Sequence, residues 1–510
     1  MGSWVLKIAV AALCLSLGVL GCDRASVSTS TQSQTSELEE TAQRLNDMYG
    51  FNIDVGAPEG VGASLVRCDT SKGTGERVDG SFGLVVREEV VLVPLARLLR
   101  GERVTVKAAC CEERPATGVY AFDARSGLAL LAVPGLQAPS WNGGFAELPE
   151  PAPGAITARV GFPFEIAGSM GVGTSTLDVT RESDDPLRGR RLRLDHSFRL
   201  FGGGAILIDE AGTPMGITTE WAGNDKSWAV PIADFLDEHL HANLDDSKII
   251  TITKLIESAP DDRAKSIMLT MRAGSDVDHR ALLDIAIELE PQNALAHYHR
   301  GVVLDMLGQK EDSLKALFRS LDIDDTWSEP WYSLGLVQLT SGKPSVAVDP
   351  FRRAVRIDPT HADAHGMIGV AYLHADRADL AIEPMHKAVE LEPDRYQFAA
   401  NLALAYEHAG QEHESYKAWE AYAKAKPEDQ SGHTNYCIAL AIGNQLDRLR
   451  TEAVAGLSRF GDNADDLAFQ AYAIGMSEHP DVAKAHELAR QALKLEPDHP
   501  VAGMVLERIH

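Results

Sequence analysis

Three textures of apolar and polar residues follow one another along the chain. The first is a single apolar run, Ile8 to Leu20, with Lys7 just before it. It is shorter than the about 20 apolar residues a membrane-spanning helix needs, and reads as an export signal. Ala25 to Ser36 is rich in Ser, Thr and Gln without periodicity, as a solvated tether is. The second texture, over residues 55–240, consists of short apolar runs broken by Gly and Pro turn signals. Ser81–Val86, Val90–Pro94, Arg103–Lys107 and Ala205–Ile208 are examples, and they predict an all-β barrel or sandwich. The third texture fills residues 260–510 and repeats: Pro291, Pro359, Pro393 and Pro427 stand on a 34-residue lattice, with Asp325 in the missing place. Such a period marks an all-α array of stacked helical hairpins.

Val19, Leu20, Gly21 and Cys22 close the apolar run and resemble the lipobox of bacterial lipoproteins. That resemblance implies cleavage before Cys22 and acylation of its thiol, and so an anchor in a lipid membrane. Each buried CH₂ of the acyl chains would contribute about 0.8 kcal/mol. It implies a site in the bacterial cell envelope, facing the periplasm, and Asp23 favours the inner membrane. The plainer reading is a signal cleaved elsewhere or retained, with Cys22 incidental.

The β-rich texture carries a second resemblance. Gly80 to Val86 (GSFGLVV), Asp123 to Leu131 (DARSGLALL), Val160 to Phe164 (VGFPF), Asp195 to Thr218 (DHSFRLFGGGAILIDEAGTPMGIT) and Ala229 to Pro231 occur in order. They resemble successive motifs of HtrA-type trypsin-like serine proteases, which implies an all-β double barrel. Carried over residue by residue, the catalytic histidine falls on Arg97, the aspartate on Gly127 and the serine on Gly203. A guanidinium stays protonated and cannot act as a general base, and glycine has no side chain to offer. The first histidine of the chain is His196, just before the nucleophile position, whereas that fold needs its base upstream of the aspartate. The Gly202–Gly204 run is open to two readings, a turn retained for its backbone conformations or a set of N–H groups for an anion or peptide carbonyl.

The 34-residue lattice resembles the tetratricopeptide repeat. One copy holds its signature through Trp331, Leu334, Gly335, Ala347, Phe351, Ala354 and Pro359, and the next through Gly369, Tyr372, Ala381, Ala388 and Pro393. Small residues are expected where paired helices cross, aromatic residues between neighbouring hairpins, and proline after each second helix. Repeats are expected to begin near residues 260, 294, 328, 362, 396, 430 and 466. The resemblance implies a superhelix whose groove takes proteins or peptides. The Lys/Asn carboxylate clamp known in that family is absent, since Tyr298 and Val302, Tyr332 and Leu336, and Gly366 and Val370 stand at those positions. His361 and His365, and His374 and His408, are placed by the repeat register, and no metal or cofactor is expected from them.

Composition adds exclusions. The 510 residues carry 48 Lys+Arg against 74 Asp+Glu, a net charge of −26, without a basic field for nucleic acid. Of six cysteines, Cys68 is free to pair with Cys110 or Cys111 in an oxidising compartment. No CxxC spacing supports a zinc or redox motif. The expected organisation is a signal at 1–21, a lipidated cysteine and tether at 22–50, a protease-like domain at 51–245 and a repeat domain at 246–510. The expected function is a membrane-anchored, non-catalytic scaffold. The alternatives are a divergent serine-protease-like hydrolase and a regulator of envelope protein quality control.

Overall fold

The computed structural model describes residues 54–55, 64–108, 112–146, 156–166, 169–185, 189–194, 204–209, 211–219, 228–240, 244, 246–393 and 395–509. Cys22, Cys110, Cys111 and Gly203 lie outside the described residues. Two compact units divide the chain after Gly308.

Among the described residues, the first unit holds fourteen strands in two antiparallel sheets of seven. One sheet contains β2 (Leu65–Ser71), β3 (Arg77–Arg87), β4 (Val90–Pro94), β5 (Arg103–Ala108), β6 (Arg114–Pro115), β7 (Gly118–Asp123) and β8 (Leu128–Ala132), in the order β6-β5-β2-β3-β4-β8-β7. The other contains β1 (Asp54–Val55), β9 (Ile156–Ile166), β10 (Ser169–Asp185), β11 (Gly189–Leu194), β12 (Ile206–Ile208), β13 (Pro214–Thr219) and β14 (Trp228–Pro231). Because β9 pairs with both β10 and β12, strands β9 to β14 close into a ring, and β1 adds to β10. A double barrel would close both sheets by strand pairing; among the described residues only the β9–β14 set does so.

Strands β4 and β8 are buried along their whole length, and period two explains how. Leu92, Leu128 and Leu130 point to one side, where Ile206, Ile208, Ile217 and Val230 of the ring meet them. Val91, Val93, Ala129 and Leu131 point to the other side, and there the covering residues come from the helical region. Ile250 bridges Val119 of β7 through two backbone hydrogen bonds of 2.9 Å, and the chain then enters α3 (Asp262–Ala273). Ile252, Leu255, Ile267 and Met268 complete this second core. Two short helices, α1 (Leu95–Leu98) after β4 and α2 (Ala233–His239) after β14, finish the strand region.

From α3 onward the structure is helical hairpins. In the first unit α3 pairs with α4 (Arg280–Leu289), and α5 (Ala294–Met306) follows. The second unit begins with α6 (Lys310–Ile323). It continues through the pairs α7 (Ser328–Thr340) and α8 (Pro344–Ile357), α9 (Ala362–His374) and α10 (Ala378–Leu391), and α11 (Tyr396–His408) and α12 (Glu412–Ala425). Then come α13 (Gln430–Ile442) with α14 (Leu446–Phe460), α15 (Ala464–Gly475) with α16 (Val482–Leu495), and a final α17 (Pro500–Arg508). First helices thus start at 262, 294, 328, 362, 396, 430 and 464, within two residues of the expected repeat starts. Several first helices also touch one another, α7 with α9, α9 with α11, α13 with α15 and α15 with α17, so neighbouring hairpins share packed surface there.

Side-chain caps fix several helix starts. Asp261, Asn293, Asn463 and Asp481 each accept a hydrogen bond from a first-turn backbone N–H, which satisfies one of the donors a helix start leaves open. No helix of the described residues is long and apolar enough to cross a membrane.

Candidate functional site

Two of the three positions onto which the protease resemblance carries the triad, Arg97 and Gly127, lie in elements joined by a backbone hydrogen bond. The Leu95 N–H donates to the Gly127 carbonyl at 2.7 Å, tying the start of α1 to the turn between β7 and β8. That turn is built by Asp123, whose carboxylate accepts from the N–H groups of Arg125 at 3.0 Å and Ser126 at 2.9 Å. Gly127 then adopts φ +71°, a conformation glycine reaches without steric penalty.

Arg97 and Gly127 are both buried, and Arg97 is 6% exposed. A Cβ on Gly127 would sit 3.4 Å from the terminal methyl of Met271, and α1 touches α3. The first helix of the helical region therefore covers these positions. An acyl-transfer centre needs a base and a nucleophile reachable by substrate. Here the first position is a buried cation and the second has no side chain.

The third position, Gly203, lies outside the described residues, but Gly204 beside it is described. Its N–H faces both the carbonyl of Thr218 at 2.7 Å and the Thr218 hydroxyl at 3.1 Å, and the same hydroxyl accepts from the Ala205 N–H at 2.9 Å. These donors are engaged internally, and φ at Gly204 is +97°. A Cβ there would overlap the backbone carbonyl of Phe82. Gly204→Ala is therefore expected to cost about 3 kcal/mol or more, from strain plus a collision with a main chain that cannot move aside. Gly135→Ala is the matched control, with φ +76° and nothing within 4 Å of the new Cβ, and about 1 kcal/mol is expected there. Urea titration of the two variants checks the difference.

In the helical region the signature residues occupy the hairpin crossings. The Phe351 ring is fully buried and lies against Gly335, where a Cβ would come within 2.6 Å of it. Gly369 is closed in the same way by Met385. Ala347, Ala354, Ala381 and Ala388 are each 0% exposed, and Leu334 and Tyr372 are buried beside them. Trp331 is only half-buried; Arg353 lies 4.7 Å over its ring and its indole N–H donates to the Asp325 carbonyl at 3.2 Å. Pro359 and Pro393 are exposed and follow α8 and α10 by two residues.

Three of the histidines set by the repeat register, His361, His365 and His408, meet backbone groups. His361 accepts from the Ala364 N–H, His365 meets the Pro359 carbonyl at 3.0 Å, and His408 meets the Leu404 carbonyl at 2.9 Å. Burial lowers the His365 pKa, so its neutral form is favoured.

The exposed face of α13 carries Ile438 and Ile442, one turn apart, and Met476 is exposed just after α15. On the neighbouring surface Glu420 takes ion pairs from Lys424 at 2.9 Å and Arg448 at 2.8 Å, which lower its pKa. Burial pushes the Tyr436 hydroxyl up to about 12, with Glu420 adding to the shift.

A cluster absent from the sequence expectations lies nearby. His433, Cys437 and Asp466 are all buried, with ligand atoms within 4.8 Å of one another. Cys68 and Cys437 are free and buried, and the partners considered for Cys68, Cys110 and Cys111, lie outside the described residues. Burial raises the pKa of both, which leaves them protonated and unreactive.

Stacked antiparallel hairpins with small residues at each crossing define the class: an all-α repeat solenoid joined to a β-rich part. The Tetratricopeptide repeat family model matches residues 280–328 and 332–394, and the C-terminal region is a tetratricopeptide-repeat solenoid. No curated protein matches the chain by sequence. Among solved structures, the C-terminal part of a TPR repeat-containing protein from Cytophaga hutchinsonii is 18% identical, with TM-score 0.39, covering 48% of this chain and 98% of its own. YrrB, described as a TPR protein with an unusual peptide-binding site, is 18% identical with TM-score 0.32, covering 44% and 97%. MamA is 23% identical with TM-score 0.29, covering 31% and 86%.

Proposed function

We propose that the protein is a membrane-anchored, non-catalytic scaffold of the bacterial envelope, whose repeat solenoid holds a partner protein or peptide. The observation that carries this is the solenoid itself, a stack of hairpins with apolar side chains left exposed on a first helix, Ile438 and Ile442. Such arrays offer extended surfaces for peptides and partner helices.

The β-rich part fits a trypsin-like ancestry in motif order and in its ring of six strands. Its triad positions Arg97 and Gly127 carry no catalytic chemistry and are covered by α3. Anchoring follows from the lipobox-like Val19–Cys22 segment, with the acyl chains on Cys22 holding the chain at the membrane and the partner on its periplasmic side.

The test has three arms. Radiolabelled palmitate is expected to enter the full chain in a bacterial host and not the Cys22→Ala variant. The purified full chain is expected to leave casein intact and to ignore a fluorophosphonate probe. Crosslinking on intact membranes is expected to retain specific partners that Ile438→Glu with Ile442→Glu releases. Cleavage of casein that depends on residues of the β-rich part would overturn the non-catalytic reading. Partners unaffected by the double substitution would move the binding surface elsewhere.

A further inference from the structure

One hairpin crossing of the repeat carries a thiol in place of a small apolar residue. Three periods of 34 residues before His433, Cys437 and Gly456 stand Trp331, Gly335 and Ala354. Cys437 occupies the crossing position that Gly301, Gly335, Gly369 and Ala403 occupy elsewhere. Among these crossings only this one carries a thiol, and it coincides with an imidazole at 433, a position that also holds His297 and His365, and with a glycine at 456, where Ser320, Ala354, Ala388 and Tyr422 stand in other repeats.

The consequence is a compact set of three donors of different chemistry. His433 and Cys437 lie four residues apart on α13, hence on one face. Asp466 reaches them from the first turn of α15. His433 Nε2 is 3.0 Å from Asp466 Oδ1 and 3.6 Å from Cys437 Sγ. A tetrahedral zinc ion with bonds of about 2.0 Å to nitrogen and oxygen and about 2.3 Å to sulfur sets its ligands about 3.3 and 3.5 Å apart. These two separations lie close to those values, and all three donor atoms are within 4.8 Å of one another.

Room for an ion comes from Gly456 on α14. The point its Cβ would occupy lies at metal–ligand distance from both Asp466 Oδ2 and His433 Nε2. Any side chain there would close the space. Asp466 is held from behind by Asn463, whose amide donates to Oδ2 at 2.8 Å while its oxygen accepts the Asp466 N–H at 2.8 Å. Such outer contacts orient metal ligands. His433 and Asp466 are 3% and 2% exposed.

We infer that His433, Cys437 and Asp466 form a binding site for a divalent ion of the zinc class, with three protein ligands and a fourth position toward Gly456. The mixed imidazole, thiolate and carboxylate donors suit zinc over calcium or magnesium, which take all-oxygen shells. On binding, the Cys437 proton leaves to solvent as the sulfur–metal bond forms. The ion then ties α13 to α15, staples two successive hairpins, and stabilises the native state because the unfolded chain does not hold the three donors together. The same residues do not form a nucleophilic triad, since burial keeps the metal-free thiol protonated.

The test is cobalt titration of the full chain, reduced and stripped of metal with a chelator, followed by zinc competition. One Co²⁺ per chain is expected, with a thiolate-to-cobalt charge-transfer band and the strong visible bands of a four-coordinate ion. Zn²⁺ should abolish both and raise the melting temperature. Cys437→Ala, which installs the residue Ala403 already provides one repeat earlier, is expected to fold and to lose the charge-transfer band. Asp466→Asn should weaken binding by at least about 100-fold, while Cys68→Ala should leave it unchanged. Absence of the charge-transfer band in the unsubstituted chain, or its persistence in Cys437→Ala, overturns the assignment. If Cys437→Ala unfolds, Gly456→Ala decides in its place: retention of the band with that space closed counts against the site.

Discussion

Phe351→Ala is expected to destabilise the solenoid by about 3–5 kcal/mol, the range for removing a buried phenylalanine ring. Phe351 is 0% exposed and shares a core with Ala347, Val348, Ile368, Ala371 and Tyr372, so its ring bridges α8 to both α7 and α9. Tyr332 stacks at 5.7 Å between ring centroids. The ring also explains Gly335: the helices cross so closely that the phenyl edge takes the volume a Cβ would need. Gly335→Val is therefore expected to cost a similar amount through overpacking, while Phe351→Leu keeps most of the volume and should cost about 1–2 kcal/mol. Because each repeat contacts only its neighbours, the loss should be local. Hydrogen exchange is expected to rise first in α7 to α10, with α13 to α17 retaining protection. Urea unfolding followed by circular dichroism gives the magnitude, and a loss below about 1 kcal/mol for Phe351→Ala would mean the ring is not the spacer described here.

The repeat part was legible because its determinants are local and recur. A hairpin needs small residues at the crossing and a helix stop after it, and both repeat every 34 residues in the chain. Propensity alone would have misled in two places. Pro350 and Pro384, also 34 apart, would break helices by local rules, yet α8 and α10 run through them to Ile357 and Leu391. Packing of the next residue, Phe351 or Met385, into the hairpin core offsets the missing N–H. The strands at Val90–Pro94 and Leu128–Ala132 were readable as apolar runs, but their two-sided burial was not. One face is covered from a hundred residues downstream. The cluster at His433 is hidden in the sequence for a related reason: Asp466 belongs to the next hairpin, and only Cys437, at a crossing where other repeats carry Gly or Ala, departs from the pattern.

The second large effect is expected at the joint of strands and helices. Composition changes near residue 245, yet cohesion is continuous across it. Ile267 and Met268 of α3 are 1% and 0% exposed, and lie in one core with Val66, Val91, Val93, Ala129 and Leu131. The β7 edge is extended by Ile250, and Gly118 has no side chain because a Cβ there would meet the Ile250 carbonyl at 2.5 Å. The first helix of the solenoid thus serves as the missing wall of the open sheet. Ile267→Asp places a carboxylate among the apolar side chains of that core, and burying a polar group there costs several kcal/mol even after it is neutralised by proton uptake. A loss of at least about 4 kcal/mol is expected, against about 1 kcal/mol for Ile267→Val, which removes one methylene. The informative readout is where protection is lost. If α3 is a structural wall, amide exchange in β4 and β8 rises in Ile267→Asp although neither strand is altered. If exchange increases only in α3 and α4, the sheet stands without the helix, and the two parts are coupled by covalent connection alone.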